Sequence, residues 1–258
     1  MEKLTTTLIQ TQLHWENPEA NRKMFSEKIA QISEETDLII LPEMFTTGFS
    51  MNARQFAEAE NGKTLTWMQE IAAKKNSALT GSIMVKEDNK FFNRLYFVFP
   101  DGSFGSYNKR HAFTLAGEER VYSVGNEKLV VAYKGWKICP LICYDLRFPV
   151  WSRNTEGYDL VIYVANWPLT RIAAWDALLR ARAIENMAYC IGVNRIGFDA
   201  NGHEYNGHSA VYDVLGEKIS HKDPEKAFVE TVTLNKNHVE EMRKKLQFLN
   251  DRDNFTLL

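Results

Sequence analysis

The run from Asp37 to Pro42, "DLIILP", most constrains how this chain can fold. Four apolar residues in succession are far too few for a membrane span, which takes about 20. They show no helical period either, and they fit a short strand buried on both faces. Such a strand needs a covering layer above and below it. The pattern returns in "WKICPLI", residues 136–142, and in "DLVIYVAN", residues 159–166.

Segments of helical period alternate with these runs. Pro18 to Ile32 carries Met24, Ile29 and Ile32 at helix-like spacing, and Thr64 to Lys75 reads as a helix capped at or just before Thr64. A short helix is expected near Phe148 to Asn154, a long one from Arg171 to Met187, and a polar closing one in "HVEEMRKKL". Strands are expected in "TTTLIQTQL", in "ALTGSIMV" and "RLYFVFP" around the turn "KEDNK", in "FGSYNK" after Asp101-Gly102, and in "YCIGVN" and "AFVETVTL". "HSAVYDVLGEKI" reads as a hairpin turning at Leu215-Gly216. The alternation predicts a layered α/β chain, residues 1–258 forming one domain, with one sheet or two left open.

The chain has 258 residues, 45% hydrophobic and 25% charged, enough to bury a core without staples. A net charge of −2 with no basic run points away from nucleic acid and from anionic membranes. The opening "MEKLTTTLIQTQLHW" has no apolar signal core, and three cysteines are an odd, low count. The expectation is a cytoplasmic protein with reduced thiols and no disulfide framework.

The stretch "VVAYKGWKICPLICYDLRFP", residues 130–149, reads as two strands joined at Lys134-Gly135, the second ending at Cys143. Thiol catalysis needs a group to take the thiol proton and donors for the developing oxyanion. None of the six histidines sits in a recognised cysteine-protease signature. Glu43 stands two residues after an apolar strand, where a carboxylate is desolvated and suited to act as a general base. Lys109 ends a second strand in "GSYNKRHAF", and Cys143 ends a third. Three strand ends offering Glu, Lys and Cys describe a site beyond the edge of a sheet.

Four segments in order, "LPEMFTTGF", "YNKRHAF", "LICYDLRFP" and "YVANWP…W..LLRARAIEN..Y..GVNR", resemble the carbon–nitrogen hydrolase (nitrilase) superfamily. The resemblance runs from "TLIQTQLHWENPEAN" through "AVYDVLGE" and is nearest to the omega-amidase branch, which hydrolyses the terminal amide of 2-oxoglutaramate. It implies an αββα sandwich of two mixed sheets, a homodimer, and no metal or organic cofactor. It also implies amide hydrolysis through a thioester, with Glu43 as base, Lys109 and the backbone N–H of Tyr144 holding the oxyanion, and Cys143 as nucleophile. The family's second glutamate falls on Glu118 by motif position, with Glu119 beside it. A nitrilase or carbamoyl hydrolase keeps the same trio, and a catalytically silent scaffold would not need it.

For the small-molecule amide, Phe45, Phe49, Phe113 and Trp167 are candidates for an apolar wall. Arg147 and Arg171 are candidates for a fork on a far carboxylate, each weighed against a structural role. Asp145 and Arg147 are also read as holding the nucleophile turn in shape, and Arg180, Arg182 and Glu185 as helix pairing. Cys139 and Cys190 are read as core, and Cys139-x-x-x-Cys143 is not a zinc spacing.

Overall fold

The computed structural model of the chain describes residues 2–257. Its first half builds strands β1 (Lys3–Gln10), β2 (Leu38–Ile40), β3 (Glu58–Ala59), β4 (Ala78–Glu87), β5 (Lys90–Val98) and β6 (Phe104–Asn108). Helices α1 (Pro18–Ala30), a single turn α2 (Ala53–Phe56) and α3 (Lys63–Lys75) lie between them. The second half gives β7 (Val131–Tyr133), β8 (Trp136–Ile142), α4 (Pro149–Ser152), β9 (Leu160–Val164), α5 (Ile172–Asn186), β10 (Tyr189–Val193), β11 (Ile196–Phe198), β12 (Glu204–Asn206) and β13 (Ala210–Tyr212). Strand β14 (Phe228–Asn235) and helix α6 (Lys236–Leu246) follow.

There are two large mixed sheets. One runs β14-β1-β2-β4-β5-β6 with β3 beside β4, the other β13-β10-β9-β8-β7. Their centres are parallel, β1-β2-β4 in the first and β8-β9-β10 in the second, and antiparallel strands flank each centre. Parallel strands need covering on both faces, and "LIIL" meets that need by alternation. Leu38 and Ile40 join the core between the sheets, whereas Ile39 and Leu41 join the core under the helices.

The outer face of the first sheet is covered by Phe25 and Ile29 of α1 and by Leu65, Met68 and Ala72 of α3. Trp175, Leu179 and Ala183 of α5 cover the second. Helix α5 approaches β10 so closely at Gly192 that an added Cβ would lie 2.4 Å from Leu179 Cδ1. The four layers are therefore helix, sheet, sheet, helix.

Local differences from the sequence reading have physical reasons. The turn in "KEDNK" narrows to Asp88-Asn89, both at positive φ, because a two-residue hairpin loop twists that way. The helix expected near Phe148–Asn154 is one turn, α4, preceded by a 3₁₀ turn over Cys143–Arg147. The hairpin at Leu215-Gly216 keeps its turn, but its return arm is a single bridge from Tyr212 to Lys218. The small β11–β12 hairpin was not anticipated; Gly197, Gly202 and Gly207, all at positive φ, mask its strand pattern.

Candidate active site

Strand ends bring the charged residues together between the sheets. Glu43 follows β2 and Pro42 and is fully buried. Lys109 follows β6, with its own N–H bonded to the carbonyl of Asn93 on β5 at 3.0 Å. Its Nζ donates to Glu43 Oε1 at 2.9 Å and to both Glu118 oxygens at 3.0 and 2.9 Å. Asn93 Nδ2 donates to Glu43 Oε1 at 2.7 Å and to Glu118 Oε1 at 3.3 Å. Across the gap, after β9, Asn166 donates its backbone N–H to Glu43 Oε2 at 2.9 Å and its Nδ2 to the Glu43 carbonyl at 2.6 Å.

Of the glutamate doublet, Glu118 is the one buried against Lys109, and it also accepts the Phe113 N–H at 2.5 Å. Glu119 turns outward toward Arg120 at 3.4 Å. One buried cation between two buried carboxylates sets the electrostatics. Burial alone would lower the Lys109 pKa, but the charges of Glu118 and Glu43 more than reverse this, so Lys109 holds its proton more tightly than an ordinary lysine. Burial raises the pKa of Glu118, and Lys109 offsets only part of that rise.

Cys143 is the first residue past β8 and takes φ +43°, a left-handed conformation that a residue with a Cβ adopts only when its surroundings enforce it. Asp145 enforces it by accepting the N–H of Ile142 at 3.0 Å. The thiol is pushed well above its ordinary pKa by burial first and by the Glu43 carboxylate second, with Lys109 pulling the other way. Cys139 and Cys190 are buried with raised pKa values and lie in the core, Cys139 at about 12.

Cys143 and Lys109 line a cavity of about 620 Å³, within the usual range of small-molecule sites. Phe49, Phe113, Tyr144 and Trp167 line it too, and Phe49 lies under the Lys109 ammonium at 5.2 Å. Arg147 and Arg171 line the same cavity. Arg147 lies over the Trp167 ring at 4.9 Å and Arg171 over Phe113 at 5.1 Å. Among the described residues neither guanidinium has a carboxylate partner.

Phe45 is the correction. It is fully buried and packs edge-on to Phe25 at 5.6 Å and against Trp67 in the core under α1 and α3, off the cavity. The turn explains it: in a strand Glu43 and Phe45, two residues apart, would share a face, but the chain turns after Pro42, so Glu43 meets Lys109 while Phe45 stays in the core under the helices with Ile39 and Leu41. Arg182 pairs with Glu185 at 2.8 Å and donates to the Leu146 carbonyl at 2.6 Å, a structural arrangement as expected. Sequence reasoning missed Asn93 and assigned no role to Asn166. The signals were a lone amide inside the apolar strand "FFNRLYFV" and another at the end of "LVIYVAN".

Among the described residues no helix is long and apolar enough to cross a membrane, and no cluster of three or more His, Cys, Asp or Glu side chains could hold a metal ion.

The family model for carbon–nitrogen hydrolases matches residues 5–244. The chain is 43% identical to an omega-amidase, YafV, of Yersinia enterocolitica over the full length of both chains. It is 32% identical to a 2-oxoglutaramate amidase of Bacillus subtilis, covering 88% of this chain and 89% of that one. Among solved structures, a carbon–nitrogen hydrolase superfamily protein of Xanthomonas campestris, with an arsenic adduct in its active site, superposes with a TM-score of 0.97. It is 41% identical, and each chain is covered completely.

Proposed function

The chain belongs to the carbon–nitrogen hydrolase family and hydrolyses carbon–nitrogen bonds, and we propose that it is a cysteine-dependent omega-amidase acting on the terminal amide of small linear dicarboxylic acid monoamides such as 2-oxoglutaramate. One observation carries this reading. The buried Glu43–Lys109–Glu118 cluster meets Cys143 in a cavity whose wall holds two guanidiniums with no carboxylate partner. The names of the two relatives above support the substrate class.

The raised thiol pKa means that Cys143 waits as a neutral thiol. Its proton passes to Glu43 as the sulfur bonds to the amide carbon. The oxyanion that forms is held by the Lys109 ammonium and the Tyr144 backbone N–H, each worth about 3–4 kcal/mol of barrier when well placed. Collapse breaks the carbon–nitrogen bond, and Glu43 gives its proton to the leaving ammonia. A thioester remains on Cys143. Water then attacks it with Glu43 taking the water proton, the carboxylic acid leaves, and the proton returns to sulfur.

Asn93 and Asn166 hold the Glu43 carboxylate in line through these steps. Arg147 and Arg171 would bind the far carboxylate, a charge-assisted contact that their stacking on Trp167 and Phe113 leaves open.

The test is ammonia release from 2-oxoglutaramate, succinamate, glutamine and a simple nitrile, by wild type and Cys143→Ala. Release from the oxo-amide and succinamate, absent in the variant, is the expected result. Turnover surviving in Cys143→Ala would overturn the nucleophile. Turnover confined to the nitrile would move the protein to the nitrilases, and a folded wild type silent on the whole panel would make it a scaffold.

A further inference from the structure

The two reacting segments sit on different sheets. Lys109 follows β6 of the first, and Cys143 follows β8 of the second. Something must fix the ammonium relative to the sulfur across that seam, because an oxyanion donor works only near hydrogen-bond distance of the developing charge. The Asp145 carboxylate spans it. The carboxylate is fully buried and accepts four hydrogen bonds. One comes from the second sheet, the Ile142 N–H at 3.0 Å, directly before the nucleophile.

The other three come from both sides of Lys109. Tyr107 Oη on β6 donates at 2.7 Å, and the backbone N–H and Nδ1 of His111 contact the other oxygen at 3.1 and 2.8 Å. Tyr107 Oη in turn accepts the Arg110 N–H at 3.1 Å and Trp151 Nε1 at 3.1 Å. The His111 ring is stacked on Phe148 at 3.7 Å, nearly parallel. Residues 107, 110 and 111 are thus all tied to one carboxylate or its tyrosine, and Lys109 lies between them.

Shaping the nucleophile turn would require only the Ile142 bond. Three further donors from the segment that carries Lys109 are more than that task needs. We propose that Asp145 is a positioning residue, a strut that sets the distance from the Lys109 ammonium to Cys143. Tyr107 on β6 and His111, three residues past that strand, are its anchors on the far side. The inference rests on the reading of Lys109 and Cys143 as reacting groups.

The measurement compares wild type, Tyr107→Phe and Asp145→Asn in kcat, KM, thermal midpoint and the rate at which iodoacetamide alkylates Cys143. Amide turnover needs the oxyanion held by Lys109. Alkylation forms no oxyanion and needs only the thiol and its base. Tyr107→Phe removes one oxygen from the first-sheet side and leaves the Ile142 bond intact. It should lower kcat about tenfold, the scale of a lost hydrogen bond to a charged group, with KM and alkylation each within about twofold of wild type. Asp145→Asn should lower kcat about 100-fold, as a shift near 1 Å at reacting atoms does.

An unchanged kcat in Tyr107→Phe would overturn the strut. So would a parallel fall of turnover and alkylation, which marks general loosening of the site. If Asp145→Asn does not fold, the tyrosine variant decides alone. The assay uses whichever amide or nitrile the wild type turns over fastest, so a wrong substrate assignment leaves the test standing. A wild type that turns over nothing overturns the functional reading and the strut together.

Discussion

The two ends of the cavity are built on opposite plans. At the end proposed to react the charges are mutually partnered: Lys109 against two carboxylates, Glu43 held by Lys109, Asn93 and Asn166, and Asp145 by four donors. At the acyl end Arg147 and Arg171 lean on aromatic rings and have no carboxylate partner among the described residues. A group that must stabilise charge appearing in the transition state gains from being fixed beforehand. A group that binds a substrate anion gains from having no competing partner in the free protein. On the proposed function, the contrast assigns kcat to the first end and KM to the second.

Three measurements can break that division. The largest effect is expected for Lys109→Met, which keeps the apolar stem and leaves two buried carboxylates facing each other. Single-turnover rates should fall by about 10²–10³ from the lost oxyanion donor. Denaturant unfolding should show a loss of about 3–5 kcal/mol, as for one partner removed from a buried ion pair. Turnover within tenfold of wild type would remove Lys109 from the reacting end.

A smaller effect belongs to the other end. Arg171→Ala and Arg147→Ala should each raise KM for a carboxylate-bearing amide about tenfold, in line with a lost charged hydrogen bond, and leave kcat nearly unchanged. Propionamide, which has no carboxylate, should show no such change. Equal losses on both substrates would mean that the arginines shape the pocket rather than bind an anion.

The smallest effect is one of pH. Folding tightens the hold of Cys143 and Lys109 on their protons. Between the unfolded and folded pKa of each group the native state binds more protons than the unfolded one. The stability they confer is therefore present below the ordinary thiol pKa and declines as pH rises past about 9 and then past about 10.5. Alkylation of Cys143 should keep rising through pH 9 without levelling off. A plateau near the pKa of a free thiol would show the site to be less insulated than its burial implies.

Most of the strand pattern was legible because an apolar run buried on both faces leaves a direct trace in sequence. "LIIL" is the plainest case. The placement of Glu43 and Cys143 just past such strands was legible for the same reason, Lys109 was placed by the end of the more exposed strand β6, and Glu118 was chosen over Glu119 by motif position. Phe45 was misassigned because a turn, and not a strand, decides which core it enters. Asn93 and Asn166 escaped because their partners are remote in sequence, 50 and 123 residues away in the case of Glu43. The β11–β12 hairpin escaped because its glycines and polar residues read as loop.

The groups proposed to react stand just past β2, β6 and β8, whereas Arg171 and the β11–β12 hairpin beside the cavity belong to connections. Connections tolerate exchange far better than strands paired into a sheet. In an evolving lineage the two parts can change at different rates. Arg171 or the 196–206 hairpin can be replaced to admit a new acid, and the chemistry carries over untouched. A change at Glu43, Asn93 or Asp145 reaches both sheets at once, so descent through this fold would diversify diet long before it altered the reaction.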